Sequence, residues 1–373
     1  MSRAPILFAA APERGAVLAE RWRGERPAFC CVLAHTDTCL IPGLSAAGVS
    51  EELRPLTPAA DAEVVLLGAP RCLPTLPSNP LGAPGPAAIT RAALHLGGLP
   101  AQFVGSGLTT WPETRCQRVD GAPGGNIELG QAVPHASRLL EAGYQLGVEL
   151  ARGAPYVVIG ESVPGGTTTA LALLLALGYL AEGRVSGSQP GNAHVLKTRV
   201  AHTALAAAGL GVGDGRLDPI AAVAHVGDPM QPLAAGAALG VIGEGKAVLL
   251  AGGSQMLAVA ALIKALAGSD ALASIAIGTT RWIVTDPAAD VIGLAAEIDP
   301  MLPILAANLE FGRSRHPALH AYERFMVKEG VGAGGACVAA VLATDASIDT
   351  LEAAIDQAYD DVFEQSFRTL DAR

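Results

Sequence analysis

The sequence predicts an α/β protein with a mostly parallel, doubly wound sheet. Three observations lead to this prediction. Half of the 373 residues are hydrophobic and only 16% are charged, so the chain can bury a large core. Short β-branched or leucine-rich runs are followed by glycine-rich turns. Alanine- and leucine-rich stretches come next, and this alternation is typical of parallel strands joined by helices.

The predicted strands are apolar runs that end at a glycine or a turn. They cover residues 28–34, 63–67, 156–159, 247–250 and 274–277. Residues 337–342 fit either a further strand or a buried helix, because a short apolar run has no period that separates the two. In a doubly wound sheet the carboxyl ends of the strands meet the helix N-termini at one edge, so we expect the ligand there.

We expect one large domain and one small terminal part. Residues 28–345 form the predicted large α/β nucleotide-binding domain, in which residues 71–130 are a proline-rich loop region. One helix, over residues 87–96, interrupts these loops. Residues 1–27 and 346–373 form the predicted smaller, helical part, because the C-terminal segment carries an acidic amphipathic pattern.

Composition argues against several classes of partner. Twenty-five basic against 35 acidic residues give a formal charge of −10, the wrong sign for attracting a nucleic-acid backbone, so we expect no nucleic acid. Spanning a bilayer takes roughly 20 apolar residues and the run 170–181 is shorter, so we expect no membrane insertion. The six cysteines lack CxxC spacing and no secretory signal is recognisable, which favours free thiols in a cytoplasmic protein.

The segment 156–178 predicts an anion site. It reads as a strand, a glycine-rich turn, hydroxyl residues and an apolar helix. Gly165 and Gly166 allow close approach of the backbone, and Thr167 and Thr168 can donate hydroxyls at the helix N-terminus. A phosphate suits this turn, and the alternative is a tight turn without a ligand. The glycine spacing imitates a nucleoside-triphosphate loop, but Gly166 stands at the lysine position, which argues against an ATPase.

A second glycine-rich segment begins at Lys328. Its Glu329 is followed by four glycines in six residues, among them Gly330, Gly332 and Gly334. We expect these glycines to let a planar ligand lie against the backbone beside the carboxylate. The alternative is a flexible hinge with a solvated glutamate.

Three further residues are candidates for the cleft. Glu161 directly follows a predicted strand and should face the ligand edge, although a helix N-terminus alone would account for a charge there. Lys197 lies on a predicted helix and can reach the same anion as a point charge, against the alternative of an ordinary surface lysine. Asp37, just after the first predicted strand, either lines the cleft or makes a turn.

Two groups of side chains have spacings that suggest metal binding. Cys31, His35 and Cys39 lie at intervals of four residues, and His316 and His320 lie one helical turn apart. Neither group completes a zinc ligand set. We therefore expect no metal and no cofactor.

Several segments together resemble a known family. They are TPAADAE (57–63), PAAITRAAL (86–94), GESVPGGTTTALA (160–172), GGSQM (252–256), GTTRW (278–282) and HPALHAYERFMVKEGVGAGGA (316–336). They are similar to nicotinate-nucleotide:dimethylbenzimidazole phosphoribosyltransferase, and in particular to a divergent, less characterised branch of that family. The resemblance covers most of the chain, and it implies a three-layer α/β/α fold, a smaller, mainly helical domain made from the chain ends, and a homodimer.

The resemblance also implies roles for single residues. Glu329 matches the family's general base, and we expect Glu161 to be the second catalytic carboxylate. The implied phosphate site comprises Gly165, Gly166, Thr167, Thr168 and Lys197. The expected substrate pocket comprises Gly330, Gly332, Gly334, Asp37, Gly253 and Ser254. The better-known branch carries GNTT where this chain has GGTT at 165–168, and it lacks the proline-rich stretch.

The implied activity is transfer of ribose 5-phosphate from nicotinate mononucleotide onto an aromatic base. With 5,6-dimethylbenzimidazole the product is α-ribazole phosphate, which serves cobalamin lower-ligand assembly. The sequence leaves the acceptor open between dimethylbenzimidazole, another benzimidazole, adenine and a phenol. A non-catalytic nucleotide or base sensor on the same fold is the alternative. A dinucleotide oxidoreductase is disfavoured, because the first predicted strand leads into HTDTCL and not into G-x-G-x-x-G.

Overall fold

The computed structural model describes residues 3–211 and 218–371. Within these residues one eight-stranded sheet has the order β1-β8-β7-β6-β5-β2-β3-β4. The strands are β1 (Ile6–Ala10), β2 (Ala28–Ala34), β3 (Ala101–Ser106), β4 (Gln117–Val119), β5 (Tyr156–Ser162), β6 (Ala247–Ala251), β7 (Ile275–Thr280) and β8 (Ile304–Ala307). β1 pairs antiparallel with β8, and the other neighbours pair in parallel.

The strand order reverses beside β2. After β2 the chain builds β3 and β4 on one side of it, and then returns to form β5 on its other side. The register places Cys31 of β2 opposite Gly160 of β5. Loops that leave the carboxyl ends of β2 and β5 therefore diverge to opposite sides. A crevice at such a switch point is where doubly wound proteins bind their ligands.

Helices cover both faces of the sheet. They are α1 (Pro12–Trp22), α2 (Thr57–Leu67), α3 (Ala87–Gly97), α4 (Ala136–Ala151), α5 (Gly166–Ala176), α6 (His194–Ala207), α7 (Pro219–Val226), α8 (Met230–Gly243), α9 (Ser254–Ala267), α10 (Arg281–Val284), α11 (Val291–Ile298), α12 (Ala333–Thr344) and α13 (Ile348–Asp371). One apolar core holds α4 to α9 and α11 against one face, and a second core holds α1 to α3, α12 and α13 against the other. The three-layer prediction is confirmed.

One predicted strand is wrong. Residues 63–67 form the last turns of α2, which begins with a proline in its first turn and ends at Gly68 with φ 84°. A glycine follows strands and helices alike, and α2 is buried on nearly every side, so its apolar residues show no helical period. Residues 337–342 belong to the buried helix α12, and the predicted helix 87–96 is α3.

Four strands escaped the sequence analysis, namely β1, β3, β4 and β8. β3 and β4 lie inside the proline-rich region 71–130, beside its loops. β1 lies in the terminal segment 1–27, where it extends the main sheet at its edge, and α13 packs against α3. The domain boundaries themselves stay a prediction. None of the described helices combines the length and the apolar composition that crossing a bilayer requires.

Candidate active site

An open cleft lies at the carboxyl ends of the central strands, and its empty space is about 1020 Å³ when the open solvent at its mouth is included. Both helical layers line it. α2 and the residues 329–331 contribute from one side, and the start of α5 and Lys197 of α6 from the other. Between the layers, β5 delivers Glu161. The two glycine-rich segments of the sequence therefore meet in one cleft.

The turn from β5 into α5 forms one wall. Gly165 immediately precedes α5 and has a φ of 80°, a conformation that L side chains rarely adopt. A Cβ at this position would also lie 3.0 Å from the backbone of Cys39. The turn thus requires glycine, and it directs the positive end of the α5 dipole to the cleft.

The hydrogen-bond donors at this wall differ in part from expectation. The Gly166 N–H donates to the Val163 carbonyl at 3.0 Å and the Thr168 N–H to the Gly165 carbonyl at 2.9 Å, so both amides are already used. Thr167 and Thr168 line the cleft. Thr168 Oγ1 is buried and has no hydrogen-bond partner within the described residues. The amides of Gly166 and Thr168 are therefore not free for a ligand, and the two threonine hydroxyls add to the donors that the turn offers.

Lys197 lies beside these hydroxyls. Together, Thr167, Thr168 and Lys197 form what we call the anion end of the cleft. Lys197 is buried and lines the cleft. A Cβ at Gly187 would lie 2.8 Å from Lys197 Nζ and 3.2 Å from Thr167 Oγ1, so the amine and the hydroxyl lie close together. Burial lowers the pKa of Lys197 to about 8, and the charge of Lys328 adds to this effect. A bound phosphate would favour the charged form of the lysine.

Glu161 lies buried at the end of β5. Burial raises its pKa to about 8, a hydrogen bond with Gln255 opposes the rise, and the charge of Glu329 adds to it. Gly166 has a role here that the sequence did not suggest. A Cβ on Gly166 would lie 2.0 Å from Gln255 Oε1, so the absence of a side chain makes room for the partner of Glu161.

Glu329 stands between β7 and the start of α12. The Gly330 N–H donates to its Oε1 at 3.1 Å, the Gly334 N–H to Oε1 at 3.0 Å, and the Thr279 hydroxyl to Oε2 at 3.2 Å. Burial raises the pKa of Glu329 to about 7, although these hydrogen bonds oppose the rise. A carboxylate with a pKa near neutrality, held in one orientation, suits a general base.

A backbone hydrogen bond connects the segment that follows Glu329 to the strand that carries Glu161. The Val331 N–H donates to the Glu161 carbonyl at 2.9 Å, which fixes the segment after Glu329 to the end of β5. The charge of Glu329 in turn raises the pKa of Glu161, as expected for two acids that share a poorly solvated site. The cleft therefore combines an anion end with a pair of carboxylates of raised pKa.

Three of the six residues expected in the substrate pocket line the cleft. Gly330, Gly253 and Ser254 line the cleft. The Ser254 hydroxyl accepts from the Ser186 N–H at 2.7 Å and donates to the Ser186 carbonyl at 3.1 Å. Ser254 thereby holds residues 186–189 at the cleft wall.

Gly332, Gly334 and Asp37 are not among the residues that line the cleft. A Cβ on Gly332 would lie 3.0 Å from Gly160 Cα, and one on Gly334 would lie 2.0 Å from the Thr279 carbonyl carbon. These two glycines therefore let α12 pack closely on the sheet, and Gly334 also donates its amide to Glu329. Asp37 begins the short 3-10 helix Asp37–Leu40, and its side chain is 54% exposed and contacts His35 at 3.1 Å.

The sequence analysis missed many of the residues that line the cleft. Among them are Thr57 and Asp61 of α2, Gln255, and Ser162 at the end of β5. Asp61 and Thr57 lie within TPAADAE, and the signal for them is a polar side chain inside an otherwise apolar, buried helix. Within the described part of the chain, no three His, Cys, Asp or Glu side chains are grouped so as to hold a metal ion.

Three relatives of this chain are UPF0284 proteins. UPF0284 protein glr4139 of Gloeobacter violaceus is 46% identical over 360 residues, which covers 94% of this chain and 92% of that protein. A UPF0284 protein of Methanothermobacter thermautotrophicus is 42% identical over 84% of this chain and 87% of its own. UPF0284 protein PF0303 of Pyrococcus furiosus is 43% identical over 84% of this chain and 93% of its own. No protein-family model matches the chain.

Two solved structures share the fold. CobT from Thermus thermophilus aligns with a TM-score of 0.60 at 19% identity, covering 92% of this chain and 94% of that chain. A nicotinate-nucleotide-dimethylbenzimidazole phosphoribosyltransferase from the same organism aligns with a TM-score of 0.56 at 20% identity, covering 88% and 85%. At these identities the likeness establishes the fold, and it confirms the fold that the sequence resemblance implied.

Proposed function

The chain belongs to the UPF0284 protein family, and from this premise and the geometry of the cleft we propose that it is a phosphoribosyltransferase. Its donor would be nicotinate mononucleotide and its acceptor an aromatic base such as 5,6-dimethylbenzimidazole. The product with that base would be α-ribazole phosphate, for assembly of the cobalamin lower ligand. We also propose that the active form is a homodimer, which sedimentation equilibrium would test.

One observation carries this proposal. The anion end, formed by Thr167, Thr168 and Lys197, lies in the same cleft as Glu161 and Glu329. A mononucleotide presents a phosphate and, one sugar away, a reacting anomeric carbon. The arrangement therefore offers separate binding groups for the phosphate and for the reacting centre. Solved structures with the same fold include a protein named for this reaction.

The reaction needs one bond exchange and one proton transfer. The bond between the anomeric carbon and the pyridinium nitrogen breaks, and its electron pair stays with the nitrogen of the departing nicotinate. A ring nitrogen of the acceptor uses its lone pair to form the new bond to the anomeric carbon. The other ring nitrogen gives up its proton, and Glu329 accepts it. The raised pKa of Glu329, about 7, matches this task near neutral pH.

Glu161 has an electrostatic task in this scheme. As the leaving group departs, positive charge develops on the ribose, and an ionised carboxylate close to it stabilises that charge. Burial opposes this role, because it raises the pKa of Glu161 to about 8 and so disfavours the ionised form. The cationic pyridinium of the donor would lower that pKa, so binding of the donor would itself prepare the carboxylate.

The direct test is to incubate the protein with nicotinate mononucleotide and a panel of aromatic bases. Release of free nicotinate, together with a ribosyl-phosphate product of the mass expected for each base, supports the proposal. Binding of the nucleotide without nicotinate release for any base would instead support the sensor. Absence of nucleotide binding would overturn the phosphate site itself.

A further inference from the structure

Helix α2 presents two unusual polar groups to the cleft. Asp61 and Thr57 both line the cleft, and the two residues are 4% and 8% exposed. Asp61 Oδ2 accepts a hydrogen bond from the Ser162 hydroxyl at 2.7 Å. Asp61 Oδ1 and Thr57 Oγ1 are buried and have no hydrogen-bond partner within the described residues. Buried polar atoms nearly always have a hydrogen-bond partner, so we expect a ligand group to supply one to each of these two atoms.

A second carboxylate on the same helix shows the contrast. Glu63 is also fully buried, and its Oε2 accepts from the backbone N–H groups of Arg71 at 2.5 Å and Cys72 at 2.9 Å. Its Oε1 accepts from the Glu113 N–H at 2.8 Å. Both oxygens of Glu63 thus accept hydrogen bonds that hold the proline-rich loops against α2. Asp61 has no comparable structural task for Oδ1.

Other polar side chains at this wall are already occupied. Asn79 donates to the Met326 carbonyl at 3.1 Å and accepts from the N–H groups of Leu81 and Ala83, each at 2.9 Å. The Ser78 hydroxyl donates to the Leu76 carbonyl at 3.1 Å. These groups shape the wall and leave little hydrogen-bonding capacity for a ligand. By contrast, Asp61 and Thr57 each carry a buried polar atom that no protein group satisfies within the described residues.

Asp61 lies in the layer of Glu329 and not in the layer of the anion end. α2 and α12 pack on one face of the sheet, whereas α5 and α6 pack on the other. Ser162, the partner of Asp61, directly follows Glu161 on β5. A mononucleotide held by α5 and Lys197 would leave this side of the cleft to the second substrate.

We propose that Asp61, assisted by Thr57, accepts a hydrogen bond from an amino or hydroxyl substituent on the acceptor base. This inference rests on the proposed function and narrows its substrate class. The preferred acceptor would be a heteroaromatic base with a polar hydrogen-bond donor on its edge. A base that carries only methyl groups there, as 5,6-dimethylbenzimidazole does, would bury the Asp61 oxygen without a partner and would therefore be a weaker-binding acceptor than one with a donor group.

Calorimetric titration with two matched bases tests this proposal. 5-Aminobenzimidazole and 5-methylbenzimidazole have nearly the same size and differ in the donor group. We expect the amino compound to bind the wild-type protein at least about tenfold more tightly, as for a hydrogen bond to a carboxylate. Asp61→Leu should reduce this ratio to about one or reverse it. Asp61→Asn, which retains an acceptor oxygen, should restore part of the preference.

Glu63→Gln is the control variant, because it alters a buried carboxylate of the same helix that does not line the cleft. It should lower stability and leave the binding ratio unchanged. Equal affinities in the wild type, or the same ratio in Asp61→Leu, would overturn the proposal. Nicotinate release is measured separately in the wild type. If no base supports release, the transferase function fails, while the binding ratio still decides the role of Asp61.

Discussion

The ammonium nitrogen of Lys328 lies 2.6 Å from Asp286 Oδ2, and both side chains are almost completely buried. Lys328 Nζ also donates to Asn192 Oδ1 at 2.8 Å and to the Gln189 carbonyl at 3.3 Å. Burial would raise the pKa of Asp286, but hydrogen bonds from Lys328, Ser186 and Asn192 outweigh it and lower that pKa. The residue directly before Glu329 is therefore held by a buried ion pair.

Lys328→Met should destabilise the protein, because Asp286 would remain buried without its counter-charge. We expect a loss of about 3–5 kcal/mol in the free energy of unfolding, measured by urea denaturation. The double variant Lys328→Met/Asp286→Leu should regain most of this loss, since no charge is left unpaired. Turnover should stay reduced in both variants if the pair positions Glu329. A single variant as stable as wild type would contradict the argument.

Glu329→Gln should remove the proton acceptor and retain the shape of the site. We expect nicotinate release to slow by about 100- to 10,000-fold, the usual contribution of a general base. Affinity for nicotinate mononucleotide, measured by calorimetry, should change little. In wild type, kcat/KM should rise with pH as Glu329 ionises near its pKa of about 7, and the variant should lose this rise. Unchanged turnover in the variant would discard the assignment.

Lys197→Met should weaken the binding of nicotinate mononucleotide by roughly 10- to 100-fold, since a charge-assisted hydrogen bond to phosphate is lost. Nicotinate riboside lacks the phosphate, so its affinity for the two proteins should be equal and serves as the control. Because the pKa of Lys197 is about 8 in the free protein, nucleotide affinity should fall as pH rises past this value. Equal losses for nucleotide and riboside would show that Lys197 does not contact the phosphate.

Glu161→Gln should stabilise the protein at high pH. The folded-state pKa of Glu161, about 8, exceeds its ordinary value of 4.5, so the folded form retains a proton that the unfolded chain releases between these pH values. Stability contributed by this group is present below pH 4.5 and is lost as pH rises towards 8. Each pKa unit corresponds to roughly 1.4 kcal/mol.

Urea denaturation of wild type and Glu161→Gln at pH 5 and pH 8 measures this effect. The advantage of the variant should be larger at pH 8, while its nicotinate release should be slower. The same difference in unfolding free energy at both pH values would show that Glu161 ionises normally in the folded protein.

The sequence alone determined the alternation of strands and helices and the two glycine-rich segments. These features follow from the properties of neighbouring residues in the sequence, without any contact between distant segments. Gly165 can be predicted because a turn with positive φ demands it, and Glu329 because a carboxylate stands beside a dense run of glycines. The resemblance of the surrounding segments added the fold.

Only the tertiary structure decided which residues share the cleft. The run 63–67 is a helix because α2 is buried between the sheet and its neighbours, and burial on all sides erases the periodicity that distinguishes a helix from a strand. Gly332 and Gly334 lie against the sheet and do not line the cleft, since α12 crosses the sheet closely. Asp61 reaches the cleft only because α2 packs beside the end of β5, a relation between segments about 100 residues apart, as in the contact of Asp61 with Ser162.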